Sequence, residues 1–555
     1  MQRSLLALFV ALSIGCLVGA VKPSPVIQFK DASSSSGLSF VLENSPQSRK
    51  YLPETMAGGI AAFDYNNDGR LDLFFANGAE LPGLRKSSPK FWNRLYRNDG
   101  NGHFTDVTEE VGLGGSGYAT GVAAGDYDND GYVDLFVSGV HESHLYRNVE
   151  GKRFEDVTVS SGIAAPGWAV AASWLDADQD GRLDLFVVNY VKWSAQTNPL
   201  CHDPSGRYPV YCNPNLFSPT ANQLFHNLGH GRFQDISKSS GIAKSLGKGM
   251  SAVVADYDGD GYPDIFVTND TLPNFLFHNL GHGRFEELAF DAGVALSDDG
   301  KNVSGMGADF RDYNNNGRPD IVLTDLTGQT FLLFKNLGKG QFQDVTTGSH
   351  LGRISNKFSG WGIAFADMNN DGWKDLFTAN SHVTDNIDLF SGDRYREPNL
   401  IMAGNEDGIF ADVSAASGPA FAVPRAHRGL VVADFDGDGK LDAVVTSLGE
   451  KPEFWRNVTP DSGHWVDFKL VGTVGNRDAI GAVLHLTTAS GEQWNTVTSS
   501  VGYASSCLCP VHFGLGSQTT VKQLEITWPG GRKQLVKDVH IDRLSIITEE
   551  QTAAP

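Results

Sequence analysis

Beyond its first twenty residues the chain has no apolar run near the ~20 residues that a membrane-spanning helix needs, so no internal span is expected. Positive charge is short: 44 Lys and Arg stand against 65 Asp and Glu, for a formal net charge of -21. Phosphate binding needs clustered Lys and Arg, which argues against nucleic acid as a partner. No low-complexity tract is long enough to suggest disorder, and 41% apolar with 20% charged residues is the composition of a folded protein. A G-x-S-x-G elbow, an HExxH pair and a phosphate-cradling glycine loop between strand and helix are all missing. Cysteine is scarce, with five in 555 residues.

Cys16 lies in the one long apolar stretch. Arg3 supplies a short positive region, Leu5 to Val18 an apolar one, and Val18-Gly19-Ala20 the small residues a signal peptidase prefers. Residues 1–20 therefore read as a cleaved signal peptide, and the protein as secreted, periplasmic or held at the cell surface. A lipoprotein anchored through Cys16 is the lesser alternative, because Ser13-Ile14-Gly15 is a poor lipobox. Cleavage leaves Cys201, Cys212, Cys507 and Cys509, an even number that favours disulfides in an oxidising compartment. Cys201 and Cys212 close a short Pro-rich loop and are expected to be bridged. Cys507 and Cys509 admit a strained bridge, a soft-metal pair or two free thiols.

Glycine is plentiful at 63 residues, which points to many tight turns and short strands. One aspartate-rich stretch recurs seven times. The copies are "DYNNDGRLD" (Asp64, Asn66, Asp68, Asp72), "DYDNDGYVD" (Asp126, Asp128, Asp130, Asp134), "DADQDGRLD" (Asp176, Asp178, Asp180, Asp184) and "DYDGDGYPD" (Asp256, Asp258, Asp260, Asp264). They continue with "DYNNNGRPD" (Asp312, Asn314, Asn316, Asp320), "DMNNDGWKD" (Asp367, Asn369, Asp371, Asp375) and "DFDGDGKLD" (Asp434, Asp436, Asp438, Asp442). Small apolar runs such as "GVAAG" precede each copy and runs such as "IFVTN" follow, both strand-like by length and composition. A second element keeps step, as in "LYRNDGNGHFTDV": a hairpin signal followed by Phe-x-Asp. Each period thus holds about four short antiparallel strands, which is one propeller blade.

The Phe-x-Asp strand, near matches included, occurs at Phe29, Phe104, Phe154, Phe233, Phe285, Phe342 and Phe410, one phase ahead of the loops. That offset fits an all-β, seven-bladed propeller whose N-terminal strand completes the last blade and removes the open edges.

In D-x-[DN]-x-[DN]-G-x-x-D, side-chain oxygens come from positions 1, 3, 5 and 9 and a backbone carbonyl from position 7. Glycine at position 6 permits the turn that wraps them round one point. All-oxygen ligands select a hard cation, and Ca²⁺ tolerates such flexible geometry better than Mg²⁺. About seven structural Ca²⁺ are therefore expected. The 28 side-chain positions hold 24 carboxylates, and seven Ca²⁺ would move the formal charge from -21 to -7. The loop at Asp312, with two Asn, is expected to be the weakest. Metal-free Asp/Asn turns are the bland alternative.

With their small-residue strands, the seven loops resemble the FG-GAP (VCBS-type) repeats of integrin α-subunit propellers. Residues 464–548 then change pattern, and "GNRDAIGA", "HFGLG" and "WPGG" in that order resemble the ASPIC/UnbV domain. That combination is characteristic of the cartilage acidic protein family and its bacterial relatives, and the absence of an EGF-like module after "WPGG" points to the bacterial type. The resemblance implies a propeller over residues 25–459 and a small β-sandwich-like domain over 462–550. "CLCP" falls where polar residues are expected.

His226, His230, His278 and His282, in two copies of "LFHNLGHGRF", read as hairpin-turn residues rather than zinc ligands or catalytic groups. The long period around Cys201–Cys212 carries His202, Trp193, Tyr208 and Tyr211, a sugar- or peptide-contact surface or simply loop packing. Trp168, Trp361 and Trp373 read as packing residues. Residues 382–398, with His382, Asp385, Arg394, Tyr395 and Arg396, form a second irregularity. The expected function is a secreted calcium-binding module for an extracellular glycan or protein. The alternative is a polysaccharide lyase or hydrolase acting at the channel mouth, which would need such irregular residues to converge there.

Overall fold

A computed structural model of the chain describes residues 25–551. The expected signal segment and Cys16 lie outside the described residues. Among those described, no helix is long and apolar enough to cross a membrane.

Among the described residues, seven antiparallel units of four strands form the ring, the first of them extended to a six-stranded sheet by two strands of the C-terminal region. The first consists of Ile60–Phe63, Asp72–Phe75, Arg94–Gly100 and His103–Asp106, and the last is built from His427–Ala433, Asp442–Ser447, Glu453–Asn457 and Phe29–Asp31. Phe29 pairs with Asn457 and Asp31 with Trp455, so the N-terminal strand does complete the last sheet. The first strand of each sheet packs beside that of the next, and His427–Ala433 returns to Ile60–Phe63, closing a ring. Small residues fit this geometry because the inner strands crowd the axis: every residue of Tyr118–Gly125 is buried. The Phe-x-Asp strand lies on the outer edge, reduced to Ala411–Asp412 in the sixth sheet.

A recurring asparagine stitches neighbouring sheets together. Asn148 donates from Nδ2 to the Tyr65 carbonyl of the preceding loop at 2.8 Å, Asn227 to Tyr127 at 2.9 Å, and Asn336 to Tyr257 at 2.8 Å. Asn98 closes the circle by reaching Phe435 at 2.9 Å. Each of these amides is buried, so a lost bond strands a carbonyl at about 1–3 kcal/mol.

The C-terminal region is a two-sheet sandwich. One sheet holds Val511–Gly516, His464–Val471 and Leu544–Thr548; the other holds Glu492–Thr496, Val483–Thr487, Gln523–Thr527 and Lys533–Val536. Phe468, Phe513, Leu484 and Ile526 fill the space between them.

One hairpin departs from that sandwich. Ser500–Val501 and Ser505–Cys507 leave it and enter the axis of the ring, where Ser506 and Cys507 pair in parallel with Ala61 and Ala62. The Gly502 nitrogen donates to the Ala308 carbonyl at 2.7 Å and its carbonyl accepts from Ser251 Oγ at 2.5 Å. Tyr503 at the tip is 0% exposed, donates to the Met56 carbonyl at 2.8 Å and meets Trp361 edge-on at 4.8 Å. The inner strands leave room for it: a Cβ on Gly59 would collide with the Ala504 carbonyl. This explains the apolar "CLCP", which is the stem of the plug; Cys507 and Cys509 are disulfide-bonded there and the Leu508 nitrogen donates to Ala62.

Candidate metal centres

Each aspartate loop is the hairpin between the first and second strands of a blade. In the second blade Gly125 pairs with Asp134, leaving Asp126 at one end of the turn and Asp134 at the other. Asp126 accepts the backbone N–H of Asp130 at 3.0 Å and of Gly131 at 2.8 Å. Asp134 accepts from Asn148 at 2.7 Å and Tyr127 at 3.2 Å. The turn needs left-handed backbone at two places: Asn129 has φ 58° and Gly131 has φ 93°, and the second position is glycine in all seven copies.

In the second, third, fourth and seventh blades these turns bring at least three ligand atoms within 4.8 Å of one another. The groups are Asp126, Asp128 and Asp134; Asp178, Asp180 and His226; Asp256, Asp258 and Asp264, overlapping with Asp258, Asp260 and His278; and Asp434, Asp436 and Asp442. In the first, fifth and sixth blades an asparagine stands at the third loop position. There Asn66 donates to Asp68, Asn314 to Asp320 and Asn369 to Asp371, so an internal N–H lies among the carboxylates.

The buried carboxylates repel one another. Burial, with neighbouring aspartates adding, pushes Asp72 up to about 8 and Asp126 to about 8, and burial takes Asp176 to about 7. Part of the charge is met by the basic residue before the stitching asparagine. Arg147 bonds Asp128 at 2.6 Å and Asp130 at 2.8 Å, and Arg456 reaches Asp436 at 2.5 Å. His226 and His278 occupy the same place, each Nδ1 3.1 Å from Asp184 or Asp264, and the latter bond helps raise His278 to about 9. These two histidines are therefore strand residues set on the aspartate cluster, a correction to the turn reading; His230 and His282 do sit in the turns, each with φ 54°. The signal was available, since Arg97, Arg147 and Lys335 share their position.

The residues fit a hard cation on one observation. At the third loop position of the second, third and seventh blades, Oδ1 of Asp128, Asp178 and Asp436 is buried with no hydrogen-bond partner. A buried carboxylate oxygen left bare costs several kcal/mol unless a cation meets it.

The sandwich sits over this loop face. Lys469 is 3.6 Å from Asp64, the Asp126 nitrogen donates to Asp478 at 2.6 Å, and the Gly516 nitrogen donates to the Asn370 carbonyl at 2.7 Å. Trp465 lies against Gly439, Trp494 against Gly317 and Val474 against Gly181.

The other end of the ring is also covered. Cys201 and Cys212 are bridged, and their segment meets residues 382–398 and 49–54 over the mouth. Asn386 donates to the Pro209 carbonyl at 2.9 Å, Tyr208 stacks on Phe390 at 6.3 Å, and Lys50 pairs with Asp385 at 2.7 Å. Tyr211 is buried and donates to Glu54 at 2.9 Å, while Trp193 is 4% exposed, so loop packing describes both. Trp168 and Trp361 are buried as expected. His382 accepts from the Thr384 nitrogen at 2.9 Å, Arg396 pairs with Glu450, and Arg394 is exposed. Asp385 and Arg396 are thus held in ion pairs, with Lys50 and Glu450. Sequence reading passed over Arg428, which is fully buried: Nε donates to the Thr55 carbonyl at 2.7 Å and the guanidinium lies 3.9 Å from the Trp361 ring. Six residues before its aspartate loop, Arg428 is the one charge among the seven copies.

The FG-GAP-like repeat model matches residues 64–137, 210–267, 256–323, 312–378 and 385–445, more than half of the chain. The chain belongs to the FG-GAP-like repeat family. The ASPIC and UnbV model matches residues 472–554. Cartilage acidic protein 1 of Mus musculus is 27% identical over 362 residues, covering 62% of this chain and 53% of its own length. The Homo sapiens protein is 28% identical over 348 residues, covering 59% and 49%. This FG-GAP chain thus spans about half the length of the curated relatives it matches. Among solved structures, YCF48 bound to D1 peptide aligns with 81% of this chain and 100% of its own at 9% identity and TM-score 0.41. An Agrocybe aegerita lectin that recognises non-reducing terminal N-acetylglucosamine covers 71% and 87% at 14% identity and TM-score 0.39.

Proposed function

We propose that this FG-GAP protein is an extracellular, calcium-stabilised binding module for a glycan or protein ligand, with residues 25–459 as the ring and 462–550 as its cap. The observation that carries the calcium reading is the bare, buried Oδ1 at the third position of three loops. Positions 1, 3, 5 and 9 of each copy would hold the ion, which neutralises the carboxylates and so fixes the hairpin on which the cap rests. Two disulfides fit an oxidising compartment. Binding is favoured over catalysis because the segments 201–217 and 382–398 pack against each other over the mouth, and two of the charges there, Asp385 and Arg396, are held in ion pairs.

Two measurements on the full chain test this. Elemental analysis after exhaustive dialysis against trace calcium should return several Ca²⁺ per chain, and a chelator should lower the melting temperature. A panel of extracellular polysaccharides and matrix proteins, scored for retention and for shortened products, should give retention of intact ligand. Calcium-free protein with an unchanged melting temperature refutes the first half of the proposal; shortened products refute the second.

A further inference from the structure

Where the plug returns to the sandwich, Cys507 and Cys509 are bridged with a single residue between them. So short a crosslink does little for the fold, because the entropy that a bridge removes from the unfolded chain grows with the loop it closes. Cys201–Cys212 closes the longer loop. Nor is the bridge needed to fasten the plug. Gly502 and Tyr503 already bind Ala308 and Met56, and the Ala124 nitrogen donates to Ser506 Oγ at 3.1 Å.

The bridge is open to solvent on one side. Cys509 is partly exposed, and with Leu508 and Pro510 it lines a groove of about 580 Å³ between the sandwich and the loop face. Both cysteines line a smaller cavity of about 100 Å³, while Cys201 and Cys212 line neither space. The two sulfurs also face acceptors for which a disulfide has no hydrogen. Cys507 Sγ lies 3.7 Å from the Val432 carbonyl oxygen and Cys509 Sγ 3.8 Å from that of Ala62, each within reach of a thiol S–H. Reduction would therefore give both thiols a partner and leave no buried donor bare. In the other bridge Cys212 has such an acceptor, the Pro199 carbonyl at 3.5 Å, and Cys201 has none among the described residues.

We propose that Cys507–Cys509 is a reversible thiol–disulfide exchange site, opened in the folded protein by a small thiol that enters through the groove at Cys509. The thiolate of the incoming molecule attacks Cys509 Sγ, the side the groove exposes. A bond forms between those two sulfurs, the bond to Cys507 breaks, and Cys507 leaves as a thiolate that takes a proton from water. A second thiolate displaces the first from Cys509, releasing the small molecule as its own disulfide. The pair has then gained two electrons and two protons, and the two small thiols have been oxidised to one disulfide. Cys507, 8% exposed, is held against the Val432 carbonyl and so stays beside Cys509 for the return reaction.

The test exposes the full-length protein, in calcium, to 2-mercaptoethanol, which is small and uncharged. Samples are quenched with iodoacetamide over time and their peptides analysed by mass spectrometry, with circular dichroism recording that the fold persists. At early times Cys509 should carry the mercaptoethanol adduct and Cys507 the alkyl group; later both should be alkylated. The bridge should open about tenfold or more faster than Cys201–Cys212, and oxidised mercaptoethanol should restore it. Cys507→Ser should leave Cys509 free to take one mercaptoethanol from that disulfide, whereas Cys509→Ser should leave Cys507 unmodified. A bridge that opens only as the protein unfolds, or no faster than Cys201–Cys212, overturns the proposal. So do an early adduct on Cys507 rather than Cys509, and two cysteines that stay unbridged under oxidised mercaptoethanol.

Discussion

Replacing Tyr503 by alanine should loosen the whole ring, although the residue belongs to another part of the chain. Its ring is fully buried against Trp361 and its hydroxyl holds the Met56 carbonyl at 2.8 Å. Truncating a buried aromatic side chain costs about 3–5 kcal/mol, because a cavity replaces it. Leaving the Met56 carbonyl without its donor adds about 1–3 kcal/mol. Tyr503→Phe keeps the ring and isolates the second contribution, so it should fall near the lower figure. Denaturant titration gives the total, and hydrogen exchange locates it: Ile60–Phe63 and Gly360–Ala366 border the plug and should lose protection in the alanine variant. An alanine variant within about 1 kcal/mol of wild type, with exchange unchanged in those strands, would refute the claim that the hairpin is part of the ring's core.

Glu54 should make stability depend on pH. Burial holds its carboxyl at about 7 against 4.5 in the unfolded chain. Its contribution is therefore complete below about pH 4.5 and lost as pH rises to about 7, a swing of roughly 3 kcal/mol. Glu54→Gln should flatten the melting curve's pH dependence over that window, and an unaltered slope would count against it. Chelation should lower the melting temperature in a calcium-specific way: a site held at a hundred times its Kd contributes about 2.7 kcal/mol, so Asp436→Asn should remove part of the shift and magnesium should not restore it. Converting Cys201 and Cys212 together to serine should raise proteolysis within residues 194–217 while leaving the ring's melting midpoint within a few degrees, because the bridge closes a loop of only 11 residues outside the seven blades. Global unfolding of that variant would show the insert to be integral.

Much of the ring was legible because its physics is local and repeated. Small apolar flanks, a glycine at the sixth loop position and Phe-x-Asp on the outer edge each recur, and the one-phase offset of Phe29 announced the closing strand. The pairing of Cys201 with Cys212 was legible from spacing, whereas Cys507 and Cys509 gave no such choice. What stayed hidden is non-local. Nothing near Tyr503 in sequence says that a hairpin leaves its own sandwich, since its partners Met56, Ser251, Ala308 and Trp361 come from four different blades or their approaches. The stitching role of Asn148 and its equivalents was obscured because "RN" also reads as a turn signal. His226 and His278 were misplaced because a histidine before a glycine turn is ambiguous until the strand register is known.

The pairing of Phe29 with Asn457 bears on how such a chain is made. Synthesis runs from the N-terminus, so this strand must wait while more than four hundred residues follow before its partner exists. The plug comes later still. Throughout that interval the growing assembly is an open arc with two raw edges and an empty hub, and closing it is a contact of very large sequence separation. A premature stop anywhere before the last blade would therefore yield an adhesive fragment rather than a smaller working protein. Shielding of the early strand during translation is what such a design demands of the cell that produces it.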